Sequence, residues 1–328
     1  MRSRILTVFV IFVFFIAGCS TIKDFREKFA KNRAEKSRVW VSDYTGDTIF
    51  QVDTTSGKLV GKLKVPGGPT EMAVHPDGKT VYVSCSKAGE VAVISNNKET
   101  GRIHVGETPM GVALSPDGST LFVVLNDEDK VAVIDTQLLV LKGKIPVGSK
   151  PFAIKQISPE GLFAVSNNGG DTISVIDANT LQLSNSIKVG LCPYEIGIDR
   201  ANNTINVACF SENRLKIVDI GTFRLMGAVS TGEGPYGVTV GPGNIVLVTN
   251  NAGGTVSVID LFVFGEQNRV KVGVMPCGIG ISPGGEFILV VCEGDKKLVC
   301  LSSKDYSTLW ELPLSGTPRS LAIVRKTK

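Results

Sequence analysis

Apolar residues in this chain gather into short runs, most of them rich in Val and Ile and each too brief for a helix. Between the runs stand Gly, Pro, Asn, Asp and Ser, the residues that turn a chain back on itself. Runs of that length and composition, punctuated that way, predict strands. The punctuation keeps time. A Pro that follows a polar or Gly-containing turn recurs at Pro69, Pro109, Pro151, Pro193, Pro235, Pro276 and Pro318, at intervals of 40, 42, 42, 42, 41 and 42 residues. A second marker, Asp53, Ser95, Asp135, Asp177, Asp219, Asp260 and Ser302, closes an apolar stretch such as Val131–Asp135 or Ile173–Asp177. Two markers in phase seven times define an internal repeat of about 41 residues across residues 39–328.

Each repeat reads as four strands. The Pro opens a first run, such as Pro109–Leu114, that ends in a turn: SPDG at Ser115–Gly118 or SPGG at Ser282–Gly285. Pro in the second place and Gly in the fourth suit a type I turn. A second run follows, for example Leu121–Val124 or Val246–Asn250. The third, Val131–Ile134 and its counterparts, is nearly continuous in Val and Ile, as strands buried on both faces are. The Asp after it caps the next turn through its carboxylate. The fourth ends in Val-Gly, as at Val147-Gly148 and Val189-Gly190. Four antiparallel strands every 40–45 residues make one blade of a propeller. The predicted fold class is therefore all-β, a seven-bladed β-propeller of four-stranded antiparallel blades. Phase also predicts how the ring closes. The body opens on a second strand (Val39–Ser42) and ends on a first strand (Pro318–Val324), so the C-terminal strand completes the N-terminal blade. Such a ring has no open sheet edge, and a monomer is expected.

The wording of the repeats narrows the class. The Gly-His and Trp-Asp marks of Trp-Asp repeat propellers are missing. PMGVALSPDG (Pro109–Gly118) and VLVTNNAGGTVSVID (Val246–Asp260) instead resemble the YVTN family of bacterial and archaeal propellers. The resemblance covers residues 39–328 and implies the propeller fold. Activities within that family are diverse, so it implies no particular function.

Ahead of the body the chain changes character. Arg2 and Arg4 precede an apolar run, Ile5–Ala17, which ends at Gly18-Cys19. A basic start, a short apolar core and small residues are the parts of a signal peptide, here residues 1–18. Thirteen residues are few for a transmembrane helix. The tetrad Ile16-Ala17-Gly18-Cys19 resembles the lipobox of bacterial lipoproteins. That resemblance implies cleavage before Cys19, acylation of Cys19 and attachment to membrane lipid through the acylated N-terminus. Ser20 stands where Asp would imply retention at the inner membrane, so the implied address is an exported lipoprotein at the outer membrane, facing the periplasm. Residues 19–38 are then the lipidated Cys and a basic tether, with seven basic residues, three acidic ones, and Ile22, Phe25 and Phe29 on one helical face. The tether lies on the headgroups as an amphipathic helix or serves as a solvated spacer.

Charge follows the same division. The whole chain carries +4, yet residues 39–328 hold 26 basic against 28 acidic side chains. A nearly neutral body lacks the electrostatic footprint of nucleic-acid binding, and none is expected. Only two histidines exist, His75 and His104, in different strand classes. Haem-attachment, Walker A and dinucleotide motifs are absent, so no cofactor, no metal and no catalytic residue is expected.

Candidate chemistry concentrates at the ring entrance. The residues after the seven prolines include Met110, Phe152, Tyr194 and Tyr236 on four neighbouring blades, and Arg319. Glu71 and Glu195 stand one place further on, where three repeats have Gly. Loops between second and third strands bring Asn167, Asn168, Asn250 and Asn251 to the same face. As a surface, these residues form an aromatic, amide-rich mouth for a protein, peptide, glycan or small polar ligand. As core, the same rings wedge between blades, a reading supported by Val112, Ile154, Ile196 and Val238 two residues later. The function expected is a non-enzymatic binding or scaffolding module in the envelope. Its rivals are an envelope hydrolase or lyase, lactonase-like, using Glu71, Glu195 and a hard metal, and an accessory to an envelope dehydrogenase. Finally, Cys192 and Cys277 flank prolines that face Cys209 and Cys292 across a hairpin. Each pair either bridges, as an exported address permits, or packs as small buried thiols.

Overall fold

The computed structural model describes residues 37–325. The leader, Cys19 and all but the last two residues of the expected tether lie outside the described residues. Ser37 and Arg38 open the first strand, because their backbone pairs with Arg325 and Val324. Strands β1 to β28 follow in chain order and form seven antiparallel four-stranded sheets arranged as a propeller. In a representative blade, β8 (Pro109–Leu114) is innermost, followed outward by β9 (Thr120–Leu125), β10 (Lys130–Asp135) and β11 (Val140–Pro146). Val131, Ala132, Val133 and Ile134 of β10 are fully buried, as a strand covered on both faces must be.

The ring closes where phase placed it. β28 (Pro318–Arg325) pairs with β1 (Ser37–Asp43), which continues to β2 (Thr48–Asp53) and β3 (Leu59–Lys64). Asp43, 1% exposed, accepts the N–H groups of Thr317 at 2.7 Å and Gly46 at 3.0 Å, which ties the two chain ends at the same point.

The residues that make the repeats alike are latches. A small hydroxyl residue near the end of each of four second strands (Ser42, Ser84, Ser166 and Thr249) accepts a bulged inner-strand N–H from its own blade. Ser42, Ser166 and Thr249 also donate to a carbonyl of the next blade, at Thr70, Tyr194 and Cys277. One hydroxyl thus satisfies a group left over by the bulge and fastens two blades. Glycine serves the same junctions. A Cβ at Gly237 would lie 2.1 Å from the Cys277 carbonyl oxygen, so no side chain fits between those inner strands.

This geometry gives the ring two distinct faces. The Pro ends of the inner strands and the loops from second to third strands form the mouth face. The turns from first to second and from third to fourth strands form the opposite face, and Ser37 enters the ring there.

The six cysteines among the described residues are free thiols, so of the two alternatives each pair takes the unbridged one. Hairpin register brings facing residues close, but side chains alternate between the faces of a sheet. Cys277 aims its Sγ at the Arg319 carbonyl oxygen, 3.0 Å away in the next blade. Cys292, packed on the other face of the sheet, points towards the Val272 carbonyl. Cys192 precedes its strand with φ 52°, and it is Pro193 that sits opposite Cys209. Burial pushes the Cys85 thiol up to about 11 and those of Cys209, Cys292 and Cys300 up to about 12. Thiolate is the reactive form, so these groups are protected twice. Native protein treated with iodoacetamide is expected to take label at Cys192 alone among the six. A disulfide-linked peptide in a non-reducing digest would contradict this.

Candidate functional site

The site is built from the first residues of the inner strands. Phe152, Tyr194 and Tyr236 each follow the Pro that opens β12 (Pro151–Gln156), β16 (Pro193–Asp199) and β20 (Pro235–Val240). Blade curvature brings the three rings onto one another. Phe152 meets Tyr194 edge-on at 4.9 Å and Tyr236 edge-on at 5.7 Å, while Tyr194 and Tyr236 stack at 4.7 Å. Phe210, in the short 3-10 turn Phe210–Glu212, adds a fourth ring 5.4 Å from Tyr194. All four rings are half-buried. They pack against each other yet keep faces and edges open, so surface and wedge are both true of them. Such pairs contribute about 0.5–1.5 kcal/mol each beyond area burial. Met110 lies lower, against the cluster that contains Phe122 and Phe163, and lines the channel.

Below the rings the channel holds a cavity of about 70 Å³, lined among others by Thr70, Glu71, Lys155, Glu195, Tyr236 and Arg319. The Lys155 Nζ lies 3.4 Å from a Glu195 carboxylate oxygen. The Ser320 hydroxyl donates to Glu71 at 2.7 Å. Burial, and then the Glu195 carboxylate, lift the Glu71 carboxyl to about 7, while Lys155 and Ser320 pull it the other way. The Lys155 ammonium is held above its ordinary value, by Glu195 first and against burial. Burial likewise raises the Tyr194 and Tyr236 hydroxyls. Two carboxylates and one ammonium thus share a narrow channel, in which Lys155 stays partly exposed.

At the edge of the mouth Tyr44 is held between two cations. The Lys87 Nζ lies 4.1 Å and the Arg319 guanidinium carbon 4.0 Å from its ring centre. Lys87 also donates to the Tyr44 carbonyl at 3.0 Å. This corner presents positive charge beside an aromatic face.

The asparagines divide. Asn167 and Asn250, expected as mouth ligands, are fully buried, and this corrects that expectation. The Asn167 Nδ2 donates to Thr172 and Ser174, and the Asn250 Nδ2 to Thr255 and Ser257, which pins the following hairpin. Asn251 donates to the Pro276 carbonyl of the next blade at 3.2 Å, a structural contact. Asn168 alone of the four reaches the rings, beside the Tyr194 hydroxyl.

Lys155, Tyr44, Lys87 and Phe210 belong to the site and were not among the expected residues. Lys155 did leave a signal. It stands four places after its Pro, where the other repeats have Ala73, Ala113, Gly197, Thr239, Gly280 and Ala322. A charge among small residues marks a departure from the scaffold. Among the described residues, no group of three His, Cys, Asp or Glu side chains is placed to hold a metal ion.

No protein-family model matches the sequence, and no curated protein matches it. Solved structures do. The chain is similar to a putative 6-phosphogluconolactonase from Bacteroides fragilis, with a TM-score of 0.76 at 14% identity over 88% of this chain and 98% of that one. It is similar to a functionally unknown protein from Desulfotomaculum acetoxidans, with a TM-score of 0.75 at 16% identity over 88% and 99%. Kuenenia stuttgartiensis hydrazine synthase gives 0.71 at 18% identity over 79% and 96%. At these identities the likeness is one of fold. No helix among the described residues is long and apolar enough to cross a membrane.

Proposed function

We propose that this protein is a lipid-anchored envelope propeller of the YVTN type, whose mouth face binds a protein or peptide partner. The observation that carries the reading is the cluster of Phe152, Tyr194 and Tyr236, contributed by three consecutive blades and left partly exposed. Rigid aromatic anchors on a preorganised frame lose little entropy on docking and dominate interface energetics. Leu191, Val274 and Met275 extend apolar surface around them on the same face, at 50%, 56% and 42% exposure. Lys87 and Arg319 offer an acidic side chain of the partner its counter-charge.

Channel size argues for docking over turnover. A cavity of about 70 Å³ holds a few waters, whereas small-molecule sites run to about 300–1,000 Å³. Glu71 and Glu195 face that narrow space. The membrane attachment rests on the lipobox tetrad ending at Cys19 and on the basic residues that follow it.

Crosslinking in intact envelopes followed by pull-down tests the reading. Wild-type protein should capture a defined partner, and Tyr194→Ala with Tyr236→Ala should lose at least about tenfold of it, since two aromatic anchors contribute more than 1.4 kcal/mol. An unchanged partner profile in the double variant would exclude the aromatic mouth as the docking surface.

A further inference from the structure

Six of the seven blades expose a large apolar side chain near the start of the outermost strand. Val60, Leu138, Leu183, Met226, Phe262 and Leu309 stand in, or within three residues of, the start of their outermost strands. Leu138 is 71% and Phe262 82% exposed, and Val263 beside it 56%. The seventh blade has Lys98 and Glu99 there instead. Leu138 and Phe262 lie in the third-to-fourth-strand turns and the other four are the second residues of the strands that follow, so they ring the end of the molecule opposite the mouth. Scattered surface leucines are ordinary, but a repeated rim on one face is an interaction surface.

Chain path decides what covers it. Ser37 enters β1 on this same face, at the end paired with Arg325 and remote from the mouth. Residues 19–36 before it carry Cys19, the apolar Phe25 and Phe29, and six basic residues. Ser37 lies eighteen residues beyond Cys19, a length that reaches at most about 65 Å, so the rim can meet whatever surface Cys19 is anchored in. We infer that the apolar rim is a membrane-docking face, seated at the headgroup level of a lipid bilayer, with the mouth turned away from it. The inference rests on the lipid anchor proposed above.

Carboxylates share this rim and keep their charge, but most are bonded back into their own turns, and Glu99 is paired with Arg102. Asp53 accepts the Ser56 N–H, Asp135 those of Gln137 and Leu138, Asp219 that of Thr222, and Asp260 that of Phe262. Attraction to anionic headgroups is left to the tether, while the rim adds shallow apolar insertion from several blades. Such insertion also explains why bulky residues occupy turn tips that polar residues would otherwise fill.

Hydrogen exchange on the acylated full-length protein tests the inference, with and without mixed phosphatidylethanolamine–phosphatidylglycerol vesicles. Co-flotation is read in the same samples. The expected result is co-flotation, with exchange at the turns around Leu138 and Phe262 slowed on the order of tenfold and mouth loops at Leu191 and Val274 unchanged. The variant Leu138→Gln, Phe262→Gln, Val263→Gln should still float through its acyl chains but lose that protection. Flotation without protection of the rim turns would overturn the docking face and leave the anchor standing. Protein that does not float would overturn both.

Discussion

Removing residues 316–328 is expected to leave a protein that collects in the insoluble fraction and shows no cooperative melt. The deletion takes away β28, the inner strand of a blade whose other three strands lie at the far end of the chain. β1 would become a bare edge along its paired residues, from Ser37 to Asp43. Edges of that kind template aggregation. Packing is lost on both sides as well. Leu321 and Ile323 lie against Val39, Val41 and Leu289, while Ala322 and Val324 belong to the cluster with Trp40 and Met72. Each buried aliphatic side chain contributes about 1.5–3 kcal/mol. Leu321 and Ile323 are partly buried and Ala322 is small, yet the four together still forfeit several kcal/mol, a large share of a domain's net stability of about 5–15 kcal/mol. Asp43 would also keep its buried carboxylate while losing the Thr317 N–H, a cost that unpaired buried charge makes large. A soluble truncated protein with one cooperative transition would show that the ring does not depend on this closure.

The ring itself was legible because every repeat solves the same local problem with the same residues. Pro opens each inner strand, Val and Ile fill each third strand, and Asp or Ser closes it, so seven weak signals reinforce one another. Direction of side chains was not legible in the same way. Asn167 and Asn250 sit on the expected loops, but their amides point inwards to Ser174 and Ser257. The cysteine pairs stay unbridged for a related reason, since hairpin neighbours can occupy opposite faces of a sheet. Lys155 and Glu195 lie forty residues apart and meet only because two blades adjoin. No local periodicity encodes such a contact. What the repeat does offer is a background against which an odd residue stands out, and Lys155 is odd by that measure.

Lys155→Met is expected to destabilise the protein at pH 8 by about 2 kcal/mol and much less at pH 5. Removing one member of a buried charge group strands the others, which ordinarily costs about 3–5 kcal/mol. Lys155 keeps 41% of its side-chain surface open, so solvent screening sets the expected loss below that range. The pH dependence follows from Glu71. Its carboxyl is lifted in the folded protein from 4.5 to about 7, by burial and then by Glu195. Between those values the folded protein holds a proton that the unfolded chain has released. Stability from this group is therefore full below about pH 4.5, drains as pH rises, and is gone above about pH 7, a total of up to about 3 kcal/mol. Without Lys155, which pulls the Glu71 value down, the drain extends to higher pH and deepens. Glu71→Gln should remove the slope, melting at nearly the same temperature at pH 5 and pH 8 as far as this site contributes. Calorimetric melting of the three proteins across that range is the measurement. If Lys155→Met melts with wild type at pH 8, or if Glu71→Gln keeps the wild-type slope, the channel charges do not couple as their geometry demands.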